Sequence, residues 1–416
     1  MAPTAYAFYV GIDWGSERHQ VCVLDHERRV HGERRVEHSS PGLAALADWL
    51  GALAPGQPER VAVALEVPRG AIVDTLLSRG LHVFAINPKQ LDRFRDRHSV
   101  SGAKDDRRDA WVAAEALGTD RWAFRRLEAE HPVIVQLREV TRFDEDLQQE
   151  LTRLANRLRD QLLRYYPAVL RLAPAADEPW LWALLELAPT PAAGAQLPRA
   201  RVTRLLERHH LRRHTPDDVL AALRVPALQL TPGTVEAAGR HVALLLPRLR
   251  LVHAQRAECA GHMDRLLAAL QAETPPGPHR KHHDLEILRS LPGVGRLVAA
   301  RVLAEAAPLL AARAYHALRA LAGCAPVTRQ SGKCRGVRMR YGCNHHLQQA
   351  VYHWARVSTQ CDLHSRAHYT ALRQHGHPHP RALRGVADRL LAIFVAMLKT
   401  DTLYDAARPR RRELAA

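Results

Sequence analysis

Two apolar runs near the amino terminus each end on a carboxylate: Ala7-Phe8-Tyr9-Val10-Gly11-Ile12 closes on Asp13, and Val61-Ala62-Val63-Ala64-Leu65 closes on Glu66. Two more carboxylates, Asp106 and Asp109, stand one helical turn apart in Lys104-Asp105-Asp106-Arg107-Arg108-Asp109-Ala110. A three-residue step keeps both on one face of a helix. Carboxylates gathered at strand ends repel one another, and divalent cations with oxygen ligands neutralise them best. Two such ions, about 3.5–4 Å apart on shared carboxylates, form a device for cutting phosphodiesters: one activates the attacking oxygen and the other stabilises the leaving one. The expected cofactor is therefore a pair of Mg²⁺ ions on Asp13, Glu66, Asp106 and Asp109. Asp105 faces elsewhere and reads as a helix cap. Any one of the four alone reads as a surface or capping residue; the joint pattern favours the metal.

Two further constellations bear on phosphate. Ser290-Leu291-Pro292-Gly293-Val294-Gly295 precedes an Ala-rich helical run from Arg296 to Ala307. A Pro-Gly-x-Gly turn opening a helix leaves backbone N–H groups at Gly293 and Gly295 able to grip a nucleic-acid backbone. A tight turn between packed helices explains the same residues equally well. Farther on, Ser331 follows Arg329 and Gln330 and precedes Gly332, Lys333 and Arg335. A serine that attacks phosphorus needs an exposed oxygen and screened phosphate charge, which the glycine and the basic neighbours would supply. No sequence-local base is visible, and on spacing alone Ser331 reads as an ordinary serine in a polar loop. Cys324, Cys334 and Cys343 are spaced too widely for a zinc knuckle and read as buried thiols; His375-Gly376-His377-Pro378-His379 reads as an exposed turn.

The elements that must position these groups fall into three stretches of the 416 residues. Residues 5–125 alternate strand and helix: strands over 7–13, 16–24 and 30–38, a helix over 43–53, a strand over 61–66, a helix over 71–78, a strand over 81–86 and a helix over 105–117. A meander followed by strand–helix alternation is the order of an α/β RNase H-like fold. Residues 126–275 carry two apolar stripes, through Leu147, Leu151, Leu154, Leu158 and Tyr165, and through Leu245, Leu249, Val252, Cys259, Met263, Leu266 and Leu270. With a Pro-rich irregular segment between them and a kink at Pro247, they suggest an antiparallel coiled-coil hairpin. Ordinary core helices are the competing reading. Thr274-Pro275-Pro276-Gly277-Pro278 is a linker, residues 276–400 are mostly helical, and 401–416 form a basic tail ending in Arg408-Pro409-Arg410-Arg411-Arg412.

Lys and Arg outnumber Asp and Glu, 60 to 43, giving a formal net charge of +17. That excess points to a polyanionic partner, and the planar fork of Arg suits phosphate. No apolar stretch reaches membrane-spanning length, no lipidation signal is present, and six cysteines without a CxxC pair suit a reducing cytoplasm.

These motifs together resemble the DEDD transposases of the insertion sequence 110 family. The resemblance rests on Val10-Gly11-Ile12-Asp13, Ala64-Leu65-Glu66, Ile86-Asn87-Pro88, Lys104 to Ala110, Asn156-Arg157-Leu158, Leu291-Pro292-Gly293-Val294-Gly295, Leu321-Ala322-Gly323 with Pro326, and Gln330-Ser331-Gly332. The most specific feature is Asn-Pro followed, after a basic helix, by Lys-x-Asp-x-x-Asp-Ala. The resemblance implies a RuvC-like amino-terminal domain, a coiled-coil segment and a carboxy-terminal transposase domain. It makes Asp13, Glu66, Asp106 and Asp109 the metal tetrad and Ser331 the nucleophile that links covalently to DNA. It also implies strand exchange at element ends and target, composite centres in a homo-oligomer (dimer or tetramer), and, in some members, a guide RNA from the element. Asp105 stands where the family often has Thr or Ser, and Lys-Cys-Arg after Gly332 departs from its serine loop. The runner-up is a RuvC-like, structure-specific nuclease of the Holliday-junction-resolvase type, which needs no serine domain. A non-enzymatic nucleic-acid-binding scaffold is the third reading.

Overall fold

Strict alternation in the first apolar run sends Val10 and Ile12 to one face of a strand and Gly11 and Asp13 to the other. The computed structural model describes residues 6–98, 105–273, 281–332 and 334–407. Lys104 and Gly102, the 274–278 linker, Lys333 and the Arg408–Arg412 tail lie outside the described residues. The chain divides into two compact units, Met1–His131 and Pro132–Ala416.

In the first unit β1 (Phe8–Asp13), β2 (Arg18–Asp25) and β3 (Val30–Glu37) form an antiparallel meander. Helix α1 (Ser40–Gly51) leads to β4 (Val61–Leu65), which pairs in parallel with β1. Helix α2 (Ala71–Ser78) returns the chain to β5 (His82–Ala85), parallel to β4. Helices α3 (Pro88–His98) and α4 (Asp106–Thr119) follow, and a two-residue strand β6 (Arg125–Arg126) closes the edge. The strand order is β3-β2-β1-β4-β5-β6. Val10, Ile12, Val63 and Leu65 pack with Leu46, Leu50, Ile72 and Leu76 from α1 and α2 on one face. Ala62, Ala64 and Phe84 pack with Leu91, Val112, Ala116 and Leu117 from α3 and α4 on the other.

Small residues on that second face let α4 come close. A Cβ on Gly11 would lie 1.9 Å from the carbonyl oxygen of Ala110 and 2.5 Å from the amide nitrogen of Ala114. No side chain fits there, so Gly11 fixes how α4 crosses β1. The helix begins where the sequence says it should: Asp105 is its N-cap, and its side chain accepts from the Arg107 amide.

The second unit opens with α5 (Pro132–Tyr165), whose stripe Leu147, Leu151, Leu154, Leu158 and Tyr165 is buried. The Pro-rich stretch expected to be irregular instead holds α6 (Pro179–Leu187), α7 (Pro191–Ala195), α8 (Arg199–Arg208) and α9 (Pro216–Leu223). All four begin at or just after a proline, which serves the first helical turn well because that turn has no N–H partner to lose. Helix α10 (Thr234–Glu273) runs on through Pro247 and buries every member of the second stripe. The ion pairs Glu150–Arg248 and Asp144–Arg256 step in opposite directions along the two long helices, so α5 and α10 are antiparallel.

The remaining elements are α11 (Asp284–Ser290), α12 (Arg296–Ala311), α13 (Tyr315–Leu321), the strands β7 (Val327–Ser331) and β8 (Cys334–Arg338), then α14 (His345–Cys361), α15 (Leu363–Gln374) and α16 (His379–Thr400). One continuous core, from Val133 in α5 to Leu398 in α16, joins the long helices to these carboxy-terminal ones. The antiparallel β7–β8 ribbon stands apart from the mostly helical expectation. Among the described residues no helix is long and apolar enough to cross a membrane.

Candidate active site

Parallel pairing of β1 with β4 sets Ile12 opposite Leu65, so Asp13, the last residue of β1, comes next to Glu66, the first residue after β4. Both are half-buried. Asp13 shares its face of the strand with Gly11, against which Ala110 of α4 is pressed. Asp109, the residue before Ala110, therefore belongs to the same side of the sheet as Asp13. Asp106, one turn earlier, is the first residue of α4 and is exposed.

Asp109 is the buried member of the four, its side chain 3% exposed. Its partner is Arg95 of α3: Nη2 donates to Oδ2 at 3.0 Å, and Nε lies 2.7 Å from Oδ1. That second approach is off the hydrogen-bond line, and both Arg95 Nε and Asp109 Oδ1 are buried with no hydrogen-bond partner. Arg95 also reaches Asp92 at 3.1 Å on its own helix.

Four carboxylates are the right donors for a hard divalent cation, and a buried carboxylate oxygen without a hydrogen bond is one such an ion would satisfy. The donor set thus fits in kind. The Arg95 guanidinium sits on Asp109, however, and among the described residues no three His, Cys, Asp or Glu side chains come close enough to hold an ion.

In the second unit Ser331 ends β7 at the tip of the ribbon, directly opposite Cys334, with Gly332 in the turn at φ +55°. Ser331 and Arg329 are both exposed and, two residues apart on a strand, share one face. Arg335 lies in β8 opposite Gln330. The three cysteines nearby part company. Cys324 is held in burial that pushes its thiol up to about 12, Cys343 is half-buried, and Cys334 is exposed rather than buried as expected.

The Pro-Gly-x-Gly turn does two jobs. Gly293, at φ +80°, is packed so that a Cβ would meet the Ser358 amide nitrogen at 2.8 Å. The Pro292 carbonyl accepts from Trp354 Nε1 at 2.9 Å and Ser358 Oγ at 2.7 Å, which ties the turn to α14. Gly295 is the contrast. It caps α12, has nothing within 4 Å of its Cβ position and is exposed.

Sequence reasoning missed a second set of buried charges. Glu305 of α12, its side chain 2% exposed, receives Arg142 Nε at 2.8 Å and Nη2 at 2.9 Å, and Asn344 Nδ2 at 2.7 Å. Burial alone would raise its carboxyl pKa, but the hydrogen bonds from Arg142 and Asn344 and the charges of Arg142 and Arg138 bring it below the ordinary value. Glu145 beside it meets His346 at 2.9 Å and Arg301 at 3.5 Å. A lone carboxylate inside the Ala-rich run of α12 was the signal that would have found Glu305.

Comparison with known proteins adds a second line of observation. Residues 10–167 match a DEDD family model of the IS110 type, described as a transposase, and residues 285–370 match one described as the transposase IS116/IS110/IS902 family. The chain is 33% identical to a mini-circle protein of Streptomyces coelicolor, named as a candidate transposase for IS117, over 96% of both chains. It is 29% identical, over 98% of both, to a protein of insertion element IS110 from the same organism. Identity reaches 48% with a candidate transposase, y4uE, of Sinorhizobium fredii, in an alignment spanning 49% of this chain and 57% of that one.

Proposed function

Since the chain belongs to the IS110 family of transposases, we propose that it cuts and rejoins DNA at the ends of a mobile element and at its target, with Ser331 as the nucleophile. The observation that carries this reading is the β1–β4 register, which delivers Asp13 and Glu66 side by side beneath the helix that bears Asp106 and Asp109. The strand order, an antiparallel meander continued by parallel strands, supports reading the first unit as RNase H-like and, more narrowly, RuvC-like. The antiparallel α5–α10 pair supports the coiled-coil reading of the middle segment.

In this reading the residues divide the work. Asp13, Glu66, Asp106 and Asp109 hold two Mg²⁺ ions, which when bound supply charge neutralisation at the scissile phosphate. Ser331 forms the new Oγ–P bond as the bond from phosphorus to the leaving strand oxygen breaks; the serine gives up its proton and the leaving oxygen gains one. Arg329, on the same face of the ribbon, screens the phosphate, with Lys333 and Arg335 as its neighbours in the chain. The amides at Gly293 and Gly295 are proposed to hold backbone phosphate, with the open cap of α12 at Gly295 the stronger support. A homo-oligomer and an element-encoded guide RNA belong to the same proposal.

The exposed serine ribbon favours this over a resolvase that works with the carboxylates alone. The Arg95–Asp109 pair favours, in turn, an inactive binding scaffold. One experiment separates the three. Purified chain is incubated with Mg²⁺, RNA transcribed from the element and labelled element-end DNA, and covalent protein–DNA adducts are resolved on denaturing gels. We expect adducts with the native chain and none with Ser331→Ala or Asp109→Asn, with DNA binding retained in both. Cleavage without adduct, unaffected by Ser331→Ala, would leave a nuclease; no cleavage by the native chain would leave a scaffold.

A further inference from the structure

Helices α6, α8 and α10 border an open cavity of about 520 Å³ that the cleavage chemistry does not use. Its wall on α8 carries Arg201, Arg204 and Arg208, a spacing of three and four that puts all three on one helical face. Its floor is apolar, built from Trp182, Ala183 and Leu205. Trp182 is fully buried and fixed by a hydrogen bond from Nε1 to the Ala176 carbonyl at 2.9 Å. Arg250 and Glu186 at the rim are already paired with each other at 2.6 Å.

The arginines on the wall differ from their neighbour outside it. Arg199, at the start of the same helix, is neutralised by two hydrogen bonds to Asp217 at 3.0 and 2.9 Å. Among the described residues no carboxylate pairs with Arg201, Arg204 or Arg208, and Arg204 Nε makes only a bond to the Ala200 carbonyl at 3.3 Å. All three are exposed, so an anion entering the open cavity would meet three solvated guanidinium groups on one helical face. His209 at the cavity edge responds to this field: burial first, then Arg208 and Arg250, lower its pKa and keep it neutral.

A free phosphate needs neither an apolar floor nor this much room. A nucleotide needs both, since pockets for small organic ligands run from about 300 to 1,000 Å³. We propose that this cavity receives one unpaired nucleotide of a single-stranded nucleic acid, its phosphate on the α8 arginines and its base over Ala183 and Leu205. The proposal rests on the chain being a nucleic-acid enzyme, but not on Ser331 or the carboxylates.

The test uses full-length chain and fluorescence anisotropy with a labelled oligonucleotide of about 20 nucleotides, prepared as single-stranded DNA, as RNA of the same sequence, and as a DNA duplex. The variant Arg201→Ala/Arg204→Ala/Arg208→Ala should weaken single-strand binding by at least about tenfold and lower its salt slope by about 0.7, the value for one lost phosphate contact. Duplex binding and the circular-dichroism melt should stay as in the native chain. Ala183→Trp, which fills the floor without changing charge, should weaken single strands and leave the salt slope alone. Tighter native binding of RNA would assign the cavity to RNA, and the reverse order to single-stranded DNA. Unchanged single-strand affinity and slope in the triple variant overturns the proposal, as does an equal loss on duplex. Because adduct formation is read separately, a chain that makes no adduct yet loses single-strand binding in the triple variant overturns the proposed function and keeps the cavity.

Discussion

Asp109 in the first unit and Glu305 in the second are each buried against an arginine, and the two pairs are finished to different degrees. Glu305 takes both forks of Arg142 in line and a third bond from Asn344, so its oxygens are satisfied by protein alone. Asp109 takes one aligned bond from Arg95, while its other oxygen and the facing Nε are left without hydrogen bonds. A buried polar atom left unpaired costs about 1–3 kcal/mol. Protein that closes one such site completely and leaves the other open is using them differently. Glu305 knits α5, α12 and the start of α14 together; Asp109 joins α4 to α3 through Arg95 and has one oxygen without a hydrogen bond.

The largest expected effect breaks the contrast from the finished side. Glu305→Ala leaves the half-buried Arg142 and Asn344 without their carboxylate, and should destabilise the second unit by about 1–3 kcal/mol in urea unfolding. An unchanged midpoint would show that the network is ornamental. Next comes the unfinished side. Arg95→Gln removes the cation that competes for Asp109, so the MgCl₂ concentration that half-maximally raises the melting temperature of the first unit should fall several-fold. If magnesium stabilises native and variant chains alike, Arg95 is not in competition with a metal. The smallest effect is in pH. The folded pKa of Glu305 lies below its ordinary value, so its contribution is complete above about pH 4.3 and is lost as the pH falls below that through the folded value. Glu305→Gln should lower the neutral plateau and flatten the acid limb of stability below about pH 4.3, where the native chain loses this contribution.

How much of this was legible in the chain depends on the length of each signal. The strands ending on Asp13 and Glu66 were readable because several apolar residues precede each carboxylate; their parallel pairing is a contact between distant segments that neither run declares alone. The two long stripes were readable because they repeat over many turns. Helices α6 to α9 span only 5 to 10 residues each, too few to establish a period before the next proline. Helix α3 buries Leu91 alone, so it entered only through the family's basic helix, and its Arg95 has no sequence mark tying it to Asp109. The ribbon was read as a loop because almost every residue of β7 is exposed and no apolar face declares a strand.

That same ribbon has a bearing on reach. Two paired strands are slim enough to slip into a duplex groove about 12 Å wide, where a bulkier element would be stopped at the rim. In the proposed function the Ser331 hydroxyl, carried at the turn, would travel at the front of such a probe, so lengthening or shortening the hairpin by a pair of residues would change how deep it lands while leaving the helical core untouched.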